Sequence, residues 1–193
     1  MSDPAGPLPE VRVVAVIGAG QAGRSFAMAC AAAGYYVVLE DVMPANLRKA
    51  EMEYADLSLR GGFGELQLAS TVEEAVREAD IAVDFVPDEL ESKLEIFSMI
   101  DRMAPPKTIL CTPSEAQSIT DLASCVYRPD RSFAVRGVMQ TGEAVKVLYP
   151  PAGDEGALEA VLSLLRTIGI VADAQADPDA PVLMKNQGSH LLN

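Results

Sequence analysis

Residues Val11–Gly23 read VRVVAVIGAGQAG, an apolar run broken only by Arg12 and followed by Gly18-x-Gly20-x-x-Gly23. The run predicts a strand, and its lack of polar alternation predicts a strand covered on both faces. Gly18 permits a tight turn. Gly20 leaves room for a pyrophosphate to approach the backbone. Gly23 lets the next helix pack close to the strand. Gln21–Ala33 is Ala-rich and helical, Gly34 stops it, and its N-terminus offers unpaired N–H groups to an anion. Gly18, Ala19, Gly20, Gln21, Ala22 and Gly23 are the candidate diphosphate cradle.

A second strand, Tyr36–Leu39, closes on Glu40-Asp41. Asp41 stands 23 positions after Gly18, about where an acid reaches the hydroxyls of an adenosine ribose. Its charge would repel a ribose phosphate, which favours NAD over NADP. Glu40 is the rival for this role, and Arg48 and Lys49 could offset both acids. Three glycines alone are a weak signal, and a plain turn beside a solvated acidic strand end is the other reading. The strand–turn–helix–strand context favours the cofactor.

Beyond this unit, strand and helix patterns alternate. Pro44–Arg60 reads as a charged amphipathic helix and Glu65–Ala69 as a strand. Thr71 caps a helix through Glu78, with Glu74 completing a capping pair. Ile81–Val86 is a strand ended by Pro87, Glu89–Met103 a helix ended by Pro105-Pro106, and Thr108–Cys111 a strand. Ser118–Cys125 is helical, Ser132–Val138 and Ala144–Leu148 are strands, Glu155–Thr167 is a helix capped by Gly169, and Ile170–Ala172 is a last strand. This pattern predicts an α/β chain with a Rossmann-type, doubly wound, mainly parallel sheet in a single domain. Residues 11–178 form that domain, 1–10 a flexible tail, and 179–193 a C-terminal tail suited to partner contact.

At 193 residues and 49% hydrophobic, with 5% aromatic and no Trp, the core must be built from aliphatic side chains. The net charge of −13 excludes nucleic acid and anionic membranes as natural partners. Three dispersed Cys and one His supply no metal-ligand spacing. Cys usage of this kind, an N-terminus without a signal-peptide pattern and the lack of a long apolar run lead to an expected cytoplasmic location.

Ligands of open sheets bind outside the carboxyl ends of the strands. The segments there are Val86-Pro87-Asp88-Glu89 and Thr112-Pro113-Ser114-Glu115, so Val86, Pro87 and Pro113 are candidate cofactor contacts. Lys93 could touch a cofactor ribose or simply solvate its helix. Glu115 could be a helix-start acid or a general base. His190 reads as a solvated terminal residue.

These stretches resemble the N-terminal NAD-binding domain of the 3-hydroxyacyl-CoA dehydrogenase family. The glycine turn and Asp41 match. So do AVDFVPDELESKLEIF, DRMAPPKTIL and SIT within Ala79–Asp121, the Arg128–Arg131 lead into a strand, and Asp179-x-Pro181 with Asn186. The resemblance implies NAD as cofactor, a small-molecule substrate such as an acyl-CoA or another carboxylate, and a homodimer. It also implies an all-helical second domain, for which these residues hold no counterpart. The family's catalytic positions are changed. Its serine falls at Glu115, its histidine at Arg136, and the glutamate that orients the histidine at Lys146. Only Asn186 is kept.

Two readings follow. In the first, the chain is an NAD-dependent oxidoreductase of altered chemistry, acting on a small acidic or acyl carbonyl, hydroxy or imine substrate. Glu115, Arg136, Lys146 and Asn186 would then share one crevice. The cations would hold a carboxylate or a developing oxyanion, and Lys146, readied by Arg136, would give a proton. In the second, it is a non-catalytic NAD-binding protein or accessory subunit, and the charged replacements form a salt-bridge network in an obsolete cleft.

Overall fold

β1 (Val13–Ile17) turns Val14 and Val16 toward one layer of helices and Ala15 and Ile17 toward the other. This two-sided burial is why the strand lacks polar alternation. The computed structural model describes residues 10–61 and 64–179. The strand starts later than its apolar pattern. At its start the Arg12 and Val13 N–H groups donate to the Asp80 carboxylate at 2.9 and 2.8 Å.

The other strands are β2 (Tyr36–Glu40), β3 (Glu65–Ala69), β4 (Ile81–Asp84), β5 (Ile109–Pro113), β6 (Ser132–Arg136), β7 (Ala144–Tyr149) and β8 (Val171–Ala176). They form one sheet in the order β3-β2-β1-β4-β5-β6-β7-β8. All pairings are parallel except β6 with β7. The sheet is the doubly wound, Rossmann-type architecture. Chain order reverses beside β1, between β2 and β4, which opens a crevice at the carboxyl ends of β1 and β4.

α1 (Gln21–Ala32), α2 (Pro44–Leu59) and α6 (Glu155–Thr167) cover one face, with Phe26, Cys30, Ala50, Val161 and Leu165 in its core. α3 (Val72–Val76), α4 (Leu90–Met103) and α5 (Ile119–Ala123) cover the other, with Val76, Phe97, Ile100 and Leu122. Each buried Val, Leu, Ile or Phe among them contributes about 1.5–3 kcal/mol by leaving water. The short helices are held by their caps: Thr71 Oγ1 accepts from the Glu74 N–H, and Ser118 Oγ from the Asp121 N–H. Asp154 does the same for α6, accepting from Ala157 at 2.7 Å.

β8 runs beyond the predicted Ile170–Ala172. It pairs with β7 as far as Tyr149 and Ala176. Its exposed Asp173 and Gln175 conceal the strand from a hydrophobicity reading, because β8 is an edge.

Candidate cofactor and substrate crevice

The glycine turn takes the shape its sequence requires. Gly18 has φ +96°, a left-handed conformation that costs a residue with a Cβ. Its N–H donates to the Glu40 carbonyl at 2.9 Å, locking the turn to the end of β2. Gly20 is the helix N-cap and brings no side chain to cap this end of α1. The first turn of α1 carries no acid. A Cβ on Gly20 would meet nothing within 4 Å. Open space at a helix N-terminus with free N–H groups fits a diphosphate.

Asp41 stands beside this turn and helps hold it. Its Oδ2 accepts from the Ala19 N–H at 2.8 Å and from Asn46 Nδ2 at 3.1 Å, and its Oδ1 accepts from the Met43 N–H at 2.7 Å. Asn46 and Arg24 are contributors that sequence reading missed. Arg24 donates to the Ala19 carbonyl at 2.9 Å and pairs with Glu53. No motif marks either residue, since Asn46 acts through the Asp41 carboxylate and Arg24 through the Ala19 carbonyl, partners set in place only by folding.

A cavity of about 680 Å³ opens from the turn toward Glu40, Asp41, Val42 and the start of α3. Glu40 as a whole residue is 4% exposed. Burial, and then the neighbouring Asp41 charge, push its carboxyl above the usual range. A second cavity of about 410 Å³ lies across Phe85 and Val86, which line both. Its walls come from α1 (Ala22, Ser25) and from the segments after β4, β5 and β6. The predicted contacts Gly18, Gly20, Ala22, Val86, Pro87 and Pro113 all border one cavity or the other.

Asp88 organises the second cavity. It accepts from the Ser114 hydroxyl at 2.6 Å, the Glu115 N–H at 2.8 Å and the Ala116 N–H at 3.2 Å. Burial alone would raise its carboxyl, but these donors hold it below the usual range. Glu115 is exposed to the cavity, and its Oε1 accepts from the Gly137 N–H at 2.6 Å. That bond joins the segment after β5 to the turn between β6 and β7.

Lys93 corrects both readings of its role. Its side chain is buried rather than solvated, and it borders neither cavity. It donates to Asp84 Oδ1 at 2.8 Å, with 1% and 0% of the two side chains exposed. Burial pushes the Asp84 carboxyl up, and the Lys93 charge works against that push.

Arg136 and Lys146 do not share a crevice with Glu115. They oppose each other in register on β6 and β7, and Lys146 opposes Asp173 on β8. Each cation has its own acid. Arg136 pairs with Asp179, and Lys146 lies 3.4 Å from Asp173. Neither lines the cavity that holds Glu115. Like charges facing each other across two strands repel, so each is drawn to an acid farther along the sheet or past its end. Asn186, His190 and the tail 180–193 lie outside the described residues.

Such a turn, crevice and strand order define a dinucleotide-binding α/β domain. Residues 13–170 match the family described as 3-hydroxyacyl-CoA dehydrogenase, NAD binding domain. The chain belongs to this family, and its cofactor is NAD.

The chain is 29% identical over 181 residues to a probable 3-hydroxybutyryl-CoA dehydrogenase of Bacillus subtilis (strain 168), covering 84% of this chain and 62% of that one. It is 25% identical over 195 residues to 5-formyl-3-hydroxy-2-methylpyridine 4-carboxylate 5-dehydrogenase of Mesorhizobium japonicum, covering 94% and 62%. The chain thus spans 62% of the length of each. Among solved structures, a diketoreductase that acts on dicarbonyl compounds superposes with a TM-score of 0.78 at 22% identity, over 96% of this chain and 71% of that one. The (S)-3-hydroxybutyryl-CoA dehydrogenase PaaH1 from Ralstonia eutropha superposes at 0.76 with 21% identity, over 91% and 67%. The two superpositions establish the shared fold.

Proposed function

We propose that this chain is an NAD(H)-dependent oxidoreductase of altered chemistry, acting on a small carbonyl, hydroxy or imine substrate. The observation that carries this reading is the pair of adjoining cavities at the strand ends, one opening from the glycine turn and the other with Glu115 on its wall, at the position that the resemblance gives the family's serine. Bound NAD(H) supplies or accepts a hydride at the nicotinamide ring. The residues of the chain do the rest. The Gly18–Gly23 turn and the α1 N-terminus hold the diphosphate, and Asp41, with Glu40 beside it, faces the adenosine ribose. Val86, Pro87 and Pro113 bound the path to the second cavity. Asp88 fixes the turn that carries Glu115, and Glu115 orients the substrate or exchanges a proton with it.

The carboxylate-binding part of the expectation loses support, because Arg136 and Lys146 are engaged by Asp179 and Asp173. Those ion pairs favour the second reading, an NAD-binding protein or accessory subunit without turnover. Calorimetric titration with NADH, followed by nicotinamide absorbance against keto, imino, hydroxy and acyl-CoA compounds, separates the two. Turnover that falls in Glu115→Gln supports the oxidoreductase. Binding without turnover by any class supports the second reading. Failure to bind either form of NAD overturns both.

A homodimer in the cytoplasm completes the proposal. Met52 and Leu59 on α2 are 71% and 86% exposed, which suits a partner surface. The thiols of Cys30, Cys111 and Cys125 are unpaired, which suits a reducing compartment. Light scattering checks the first point and fractionation the second.

A further inference from the structure

We infer that the ligand of the 410 Å³ cavity carries a positively charged nitrogen, as a protonated imine or the ammonium form of the amine derived from it. This rests on the oxidoreductase reading above and names the substrate class of that site.

Among the described residues, the charged side chains lining the cavity are Asp88 and Glu115, both acids. Their situations differ. Asp88 spends its oxygens on three donors of the adjoining turn. Glu115 accepts from the Gly137 N–H, and a carboxylate has acceptor capacity beyond one bond. It is therefore the cavity acid available to a ligand. Among the described residues, the two cations expected to balance an anionic ligand are turned to other acids, Arg136 to Asp179 and Lys146 to Asp173. Val138 and Met139 supply apolar wall for a carbon skeleton, and Ser25 and Gln140 supply neutral polar groups. An anion entering this cavity meets repulsion. A cation meets an acid on a partly enclosed wall, where the apolar neighbours displace part of the screening water.

The charge balance of the reaction agrees. When an iminium is reduced, one hydride from NADH forms the new C–H bond, the C=N π pair becomes the amine lone pair, and NADH leaves as NAD⁺. No proton donor is required. The net charge of ligand and cofactor together does not change in the step, and the amine regains a positive charge on taking a proton from water, so a fixed carboxylate at Glu115 serves both states. Reduction of a ketone instead develops an alkoxide, which an adjacent carboxylate disfavours and which needs a cation or proton donor at the oxygen.

The test uses the full chain saturated with NADH and three five-membered rings of matched size: pyrrolidinium, cyclopentanol and cyclopentanecarboxylate. Binding is read by calorimetry and by the change in NADH fluorescence. Pyrrolidinium is expected to bind at least about tenfold more tightly than either of the others, about 1.4 kcal/mol. Glu115→Gln, which keeps an acceptor for Gly137, is expected to abolish that preference, and Glu115→Ala to do the same. Circular dichroism confirms that the variants fold. Equal binding of the three rings, tighter binding of the carboxylate, no binding of pyrrolidinium, or an unchanged preference in both variants overturns the inference. A wild-type chain that fails to bind NADH overturns instead the reading on which it rests.

Discussion

Lys93 and Asp84 form an ion pair at 2.8 Å inside the fold, reaching from the first turn of α4 to the last residue of β4. β4 ends where the crevice begins, so the pair anchors the Phe85–Asp88 segment from beneath. Lys93→Met leaves the buried Asp84 without its ion-pair partner. The expected cost is about 3–5 kcal/mol, because an uncompensated buried charge remains. Urea denaturation measures it. A double variant, Lys93→Met with Asp84→Leu, should recover much of the loss. A single variant of wild-type stability with weaker NADH binding would return Lys93 to the cofactor.

The three glycines of the turn are not equivalent. A Cβ on Gly23 would lie 1.9 Å from the Gly18 carbonyl oxygen, whereas one on Gly20 would meet nothing. Gly23→Ala should therefore destabilise the fold by about 1–3 kcal/mol through overpacking. Gly20→Ala should leave the melting temperature near that of wild type and weaken NAD binding about tenfold or more, since its methyl enters the diphosphate space. Thermal melts with and without NADH distinguish the two.

Glu40 should make stability depend on pH in a particular sense. Burial raises its carboxyl in the folded state. Folding therefore favours the protonated form, and the resulting penalty is fully present above the folded value and absent below the unfolded one. Glu40→Gln should raise the melting temperature at neutral pH and lose that advantage as pH falls through the usual carboxylate range. A constant difference across pH would show that Glu40 carries no such penalty.

Asp88 acts in the opposite direction. Its three donors hold it below the usual range, so its contribution is present at neutral pH and lost as pH falls through its folded value. Asp88→Asn should cost about 1 kcal/mol, the low end for bonds to a charged group at an exposed position. Hydrogen exchange of the Glu115 and Ala116 amides should quicken.

Lys146→Met should change little. Its side chain is 53% exposed and that of Asp173 70%, and exposed pairs contribute roughly 0–1 kcal/mol. NADH affinity should match wild type. A large loss of turnover in this variant would place Lys146 in the crevice after all.

Local pattern carried much of the site. The turn from Gly18 to Gly23 could be read from sequence because the left-handed bend at Gly18 and the close approach of Gly23 to it are demands met within a few residues, with Gly20 leaving space between them. Glu115 was found through its matching position, but its bond to Gly137 spans 22 positions and had no signal. Arg136, Lys146 and Glu115 were expected together because they are neighbours by family position. Their side chains part because Asp173 and Asp179, distant in sequence, take the cations.

The chain by itself determined the order and kind of its elements, the glycine turn and the acids after β2. Apolar runs, capping residues and left-handed glycines act over one or two turns of backbone, and those energies are written locally. The tertiary structure alone decided which charges meet. It sent Lys93 inward to Asp84, gave Arg136 and Lys146 their own acids, and left Asp88 and Glu115 on the cavity wall. Long side chains find their partners only once the sheet has fixed register and burial has raised the cost of an unpaired charge.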